Sequence, residues 1–203
     1  MNYCLPDGII GAVAITGGAP ENAGENGDII HQAVRDAVSR LAGHGLAILC
    51  SGTQWGVPLW AAESAIEFNL PLIRIHPQKA KKYLSNHKSQ ADIVVSPRCG
   101  ESEWGDDSEV MIKLASGIIF IGGGTGTLIE FAHWAKINES RVKYNKNILY
   151  GVPLIGTGGV ADMAYGDLRT LWQDKIAICL PKEPIQSGTL AADFLLEHME
   201  CTK

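Results

Sequence analysis

Nine consecutive residues, Gly122-Gly123-Gly124-Thr125-Gly126-Thr127-Leu128-Ile129-Glu130, form the densest group of chemically useful positions in the chain. They follow an apolar run, Gly117–Ile121, whose composition predicts a buried strand. A segment of helical spacing, Thr127–Ile137, comes next. A strand that turns sharply into a helix leaves the first amide N–H groups of that helix without partners. Glycines permit positive φ and let a ligand touch the backbone, and the helix dipole adds partial positive charge. Such a place suits a phosphate. Gly122, Gly123, Gly124, Thr125, Gly126 and Thr127 are therefore candidate phosphate contacts, the two threonine hydroxyls adding to the backbone donors. The plainer alternative is a tight turn with no ligand.

Glu130 lies one turn into the expected helix. Its charge is wrong for a phosphate but suits a sugar hydroxyl or a reacting water. It would equally serve to stabilise the helix N-terminus. Two further turns have the same strand-to-helix setting: Ser51-Gly52-Thr53-Gln54-Trp55-Gly56 offers Gly52 and Thr53, and Thr16-Gly17-Gly18-Ala19-Pro20 offers Gly17 and Gly18. Gly156-Thr157-Gly158-Gly159 is a fourth. Trp55 and Trp104 stand in expected loops, where an exposed ring could stack on a base or simply cover the core. His76 and His133 have no ligand partners at metal-site spacing, so no metal site is expected. No GxSxG elbow or Walker lysine occurs. The acidic loop Glu101–Asp107 would repel a phosphate and is expected to lie away from the anion.

The elements that must position these residues alternate between short apolar runs and helical segments. Strands are expected at Gly8–Ile15, Leu46–Cys50, Leu70–Ile75, Ala91–Val95, Gly117–Ile121, Ile148–Ile155 and Ile176–Cys179. Helices are expected from Asp28 to Leu41, from Pro58 to Phe68, over Ser108–Ser116, over Thr127–Ile137, from Gly159 to about Gln173, and over Thr189–Met199. Gln78–Lys88 reads as a solvated loop in preference to a short helix, and Glu139–Asn147 as a polar loop. This alternation predicts an α/β, Rossmann-like three-layer domain with a mainly parallel sheet of about seven strands and helices on both faces. In an open parallel sheet all strand C-termini share one edge, so the glycine turns can converge there.

The 203 residues suit one domain spanning 1–203. An apolar content of 46% with 19% charged residues is ordinary for a globular chain. A net charge of −5 with no long basic run argues against a nucleic-acid partner, though backbone amides can bind a small anion without lysine or arginine. Five scattered cysteines without a CxxC spacing fit a reducing compartment. No basic-then-apolar leader and no apolar stretch near ~18 residues occur, so a cytoplasmic protein with no membrane partner is expected.

The run GGGTGTLIE, Gly122–Glu130, resembles the PGGxGTxxE hallmark of the LOG ("lonely guy") family and the wider SLOG superfamily, once mislabelled as possible lysine decarboxylases. Gly122 replaces the leading proline, as in the branch that looks like molybdenum-cofactor carrier proteins. The likeness covers roughly residues 8–180, with Ser51–Gly56 and Pro77 as weaker matches. Many LOG proteins are phosphoribohydrolases that cleave the N-glycosidic bond of nucleoside 5′-monophosphates; related SLOG domains sense nucleotide-derived signals without cleaving them. The resemblance implies a homodimer; the apolar faces of the Val57–Phe68 and Thr127–Ile137 helices could supply its interface or simply pack on the sheet. It places the catalytic glutamate on Glu130. Met111 matches a family methionine, and the family's arginine position falls on Asp107, a reversal of charge. Arg98, nine residues earlier, could substitute from its loop.

Two readings follow. The first is a module that binds a phosphate-bearing nucleotide or nucleotide-derived ligand, as a sensor or carrier, with no further cofactor. The alternative is a phosphoribohydrolase, a hydrolase with Glu130 as catalytic carboxylate and Arg98 as helper. A structural or interaction protein without a ligand is a third.

Overall fold

The computed structural model describes residues 3–18, 27–97 and 99–199. Alternation along β1 (Gly11–Gly17) sets the layering: Val13 and Ile15 point into one core, Ala12 and Ala14 into another. Every strand of the middle of the sheet repeats this double burial, as a sheet covered on both faces requires. The remaining strands are β2 (Leu46–Cys50), β3 (Leu72–Pro77), β4 (Ala91–Val95), β5 (Gly117–Ile121) and β6 (Tyr150–Leu154). They form one six-stranded sheet in the order β4-β3-β2-β1-β5-β6, every pair parallel.

Parallel neighbours need crossover connections, and helices supply them. One face carries α1 (Gly27–Leu41), α2 (Gly56–Glu67) and α7 (Gly188–His198). The other carries α3 (Ser108–Leu114), α4 (Thr125–Lys143), α5 (Gly159–Met163) and α6 (Asp167–Trp172). Beneath α4, Phe120, Phe131 and Trp134 pack as an aromatic triangle with centroids 5.0–5.7 Å apart. The Trp134 indole N–H donates to Leu149 O at 2.7 Å, so its polar atom is satisfied inside the core.

The sheet has six strands rather than seven. Ile176–Cys179 lies in a 3₁₀ turn, Gln173–Cys179, which buries Ile176 and Cys179 three residues apart and leaves Ile178 outside. That spacing serves a helical turn, not a strand. The first strand begins at Gly11, not Gly8, because Gly8 takes φ +85° in a turn where Ile9 N–H donates to Pro6 O. α4 runs on through Glu139–Lys143, a stretch expected to be loop. There Asn138, fully buried, clamps Leu149 through both its amide atoms (2.8 and 3.0 Å) and keeps the chain helical past Ile137. The helix expected from Gly159 to about Gln173 is broken at Gly166, a poor helix former, into α5 and α6. Gln78–Tyr83 forms a 3₁₀ turn, the short helix that stood as the alternative to a loop there.

α1 and α7 pack closely where Gly188 opens α7. A Cβ there would run into Ala33 O and lie 2.9 Å from Ala37 N. Gly188→Ala is therefore expected to destabilise the protein by about 2 kcal/mol, the usual cost of overpacking. Urea denaturation checks this; an unchanged midpoint would show that the two helices separate freely.

Candidate functional site

The chain builds the sheet outward from β1 to β4, then returns to the other side of β1 as β5. The connections after β1 and β5 leave toward opposite faces, and a crevice opens between the C-terminal ends of these two strands. This is the topological switch point at which open α/β sheets take ligands. A cavity of 360 Å³ occupies the position. Its walls come from the end of β1 (Thr16, Gly17, Gly18), the turn after β2 (Ser51, Thr53, Trp55), the approach to α3 (Trp104, Asp107, Met111) and the start of α4 (Gly124–Thr127, Glu130).

α4 begins facing this cavity without a cap. Gly124 precedes it and carries no capping side chain, and the first bond within the helix is Leu128 N–H to Gly124 O at 3.0 Å. The amides of the first turn are thus placed for an anion in the cavity. Thr125 and Gly126 are exposed, whereas Thr127 is buried.

Gly122 and Gly123 do not line the cavity; they shape the turn from behind. Gly122 takes φ +57° and donates its N–H to Thr157 Oγ1 at 2.8 Å. The carbonyls of Gly122 and Gly123 accept from Ala161 and Val160 at the start of α5, both at 3.1 Å. The turn Gly156–Gly159 braces this backbone, and a Cβ on Gly159 would run into Gly123 O. Gly52 is likewise a support. It takes φ +70°, and its Cα faces the Arg74 side chain so closely that a Cβ would strike Arg74 Cδ. Arg74 is 8% exposed and fully engaged: Nε and Nη2 donate to the Asp92 carboxylate at 2.6 Å each, and Nη1 donates to Ser85 O at 2.9 Å. This buried cation holds the β2 turn and does not reach the cavity. Gly17 does both jobs, lining the cavity while allowing β1 to pass close to Ile121 O and Val57.

Of the expected contacts, the structure gathers Gly17, Gly18, Thr53, Gly124, Thr125, Gly126, Thr127 and Glu130 around one cavity. Gly52, Gly122 and Gly123 lie behind it, and Arg98 lies outside the described residues. Trp55 and Trp104 both reach the cavity, linked through Tyr83 with centroids 5.5 and 5.9 Å apart.

The placing of the acidic loop away from the anion is corrected at its last residue. Asp107 lines the cavity and is 6% exposed. The reason is packing: Met111 and Ile112 must reach the core, and Asp107 lies one turn before Met111, its carbonyl accepting from Met111 N–H at 3.0 Å. Burial pushes the Asp107 carboxyl up to about 6, tempered by its own backbone N–H and helped by neighbouring Asp106.

Glu130 is half-buried, and the Thr16 hydroxyl donates to its Oε2. Burial pushes this carboxyl up to about 8 despite the Thr16 bond, with the charge of Asp107 adding to the rise. Two acids thus share the cavity, and none of its described lining residues is basic.

A family model for the SLOG cluster4 family matches residues 10–149. Among solved structures the fold is shared with the structural-genomics target TM1055 at 16% identity and a TM-score of 0.69, covering 93% of this chain and 99% of that one. It is shared with the molybdenum cofactor carrier protein of Chlamydomonas reinhardtii (16%, TM-score 0.62, 92% and 96% covered). The molybdenum cofactor binding protein of the phototrophic bacterium Rippkaea orientalis is similar too (17%, TM-score 0.60, 92% and 95% covered). No curated protein matches. Among the described residues no helix is long and apolar enough to cross a membrane.

Both carboxyls titrate higher in the folded chain than at their ordinary values of 3.8 and 4.5, so folding favours their protonated forms. The stability this gives is complete below those ordinary values and is lost as pH rises through about 6 and about 8. Glu130→Gln is therefore expected to gain about 2 kcal/mol relative to the unaltered protein between pH 5 and pH 9, tempered by the water that reaches this half-buried group. Urea titrations at both pH values test this; parallel losses in the two proteins would remove Glu130 as the cause.

Proposed function

The chain belongs to the SLOG cluster4 family, and from that premise we propose that it binds a phosphate-bearing nucleotide or nucleotide-derived ligand in the switch-point cavity, as a cytoplasmic sensor or carrier. The observation that carries this reading is the uncapped start of α4 opening onto a cavity at the sheet's switch point. Free amides and the helix dipole give an anion site without any lysine or arginine, which agrees with a cavity whose described walls hold no base. Trp55 and Trp104 offer ring faces for the rest of the ligand. Two of the proteins sharing the fold are named for binding or carrying the molybdenum cofactor, which makes a carried, cofactor-like ligand a natural member of the class.

Phosphoribohydrolase chemistry is the second reading, and Glu130 is what favours it. A carboxyl held protonated near neutral pH at the cavity wall could give its proton to a departing base. Against it stands Asp107 at the position where the resembled family has arginine, so nothing cationic in the described cavity balances charge developing in the reaction. A homodimer is part of the proposal by likeness to the family; Ile66 on α2 and Leu128 on α4 are its outward apolar residues. Light scattering that returns a monomer mass removes it.

Gly126 has open space where a Cβ would go. Gly126→Asp is expected to keep or raise thermal stability, since an acid suits a helix start. It should nevertheless weaken nucleoside 5′-monophosphate binding at least about tenfold, by placing like charge beside the phosphate. Calorimetry on both proteins measures it, and equal affinities would reject the anion site. The same mixtures, assayed for free base, decide the second reading: release from the unaltered protein that vanishes in Glu130→Gln establishes the hydrolase.

A further inference from the structure

A second concave region lies at the opposite edge of the sheet, where β5 and β6 begin rather than end. A pocket of 650 Å³ there is walled by rings and apolar side chains, among them Tyr150, which opens β6, Tyr165, Ile178, Phe194 and His198. Phe194 and His198 stack with centroids 4.2 Å apart, and Tyr150 stands 5.0 Å from His198 and 5.9 Å from Phe194. His198 Nδ1–H donates to Phe194 O at 2.8 Å, which holds the ring against its own helix. Ile178 is 57% exposed, so this apolar wall faces water. Tyr150 and His198 also border a second pocket, of 360 Å³, whose wall includes Arg141 and Lys146. Arg141 is half-buried on α4, and none of the described carboxylates pairs with it. Burial pushes its pKa down, with Cys179 opposing. A cation withdrawn from water without a counter-charge is costly, and the guanidinium fork matches a carboxylate. In a chain of net charge −5, neither pocket has a described acid in its wall.

We propose that these two pockets form one binding site, separate from the switch-point cavity, for a small carboxylic acid with a flat aromatic body. The body lies against the rings of Tyr150, Phe194 and His198, where ring–ring contact adds to simple burial. The carboxylate reaches across Tyr150 and His198 to Arg141 and Lys146. An apolar wall with a few placed polar groups is the usual make-up of a small-molecule site. The proposal stands whether or not the switch-point cavity binds an anion.

Ligand-observed NMR titration of the whole chain tests this with three probes. They are 3-phenylpropionate, 3-phenylpropanol, which keeps the ring without the charge, and acetate, which keeps the charge without the ring. The aromatic acid should bind at least about tenfold more tightly than either of the others, since each lacks one of the two contacts. Arg141→Met keeps the apolar stem and removes the charge. It should melt no lower than the unaltered protein, because no ion pair is broken, and bind the acid no better than the alcohol. Should that variant fail to fold, Lys146→Gln, at an exposed position, decides by weakening the acid at least about threefold. Excess AMP should leave the titration unchanged. Displacement by AMP would put the acid in the switch-point cavity and overturn the proposal. So would equal affinity for the acid and the alcohol or acetate, unchanged affinity in the deciding variant, or no binding of the acid at all.

Discussion

An uncapped helix start and two acids, one of them buried, border one cavity whose described walls hold no basic residue, and this sets the terms for everything around them. The start of α4 favours negative charge and Asp107 disfavours it, and both groups border the same 360 Å³. A simple anion satisfies one wall and is repelled by the other. The cavity wall presents fixed backbone dipoles and one buried carboxyl in place of mobile cationic side chains, so its character depends on where the backbone is held.

Much of the surrounding structure serves that placement. The turn after β5 is pinned from behind by Thr157, which accepts from Gly122 and itself donates to Leu154 O at 2.5 Å. The turn after β2 is pinned by Arg74, which Asp92 and Ser85 hold in place. β1 ends in Gly17 because nothing larger fits between Ile121 and Val57. The glycines of this chain divide by role: some border the cavity, while others let buttresses come close.

The sequence made the parallel α/β layering legible because doubly buried strands such as Leu46–Cys50 and Gly117–Ile121 are continuously apolar and the helices between them keep their period. The seventh strand misled because Ile176-Ala177-Ile178-Cys179 is apolar at every residue, so composition could not separate a strand from a 3₁₀ turn that buries every third side chain. In the site, the glycine turns announced themselves. What spacing could not reveal was which glycines face the cavity and which face Thr157 or Arg74, because that depends on residues 35 and 22 positions away. Asp107 was visible as a departure from a family pattern. Its burial was not, since that follows from Met111 and Ile112 being drawn into the core.

The brace behind Gly122 reaches beyond the segment that identifies the family. Residues 10–149 match the family model, yet Thr157, Val160 and Ala161, which hold the backbone of Gly122 and Gly123, all come after it. A fragment cut to the matched boundary would contain every cavity-lining residue and still leave the glycine turn without its scaffold, one amide and two carbonyls bereft of partners. The buttressed turn is therefore a longer unit than the segment that identifies the family.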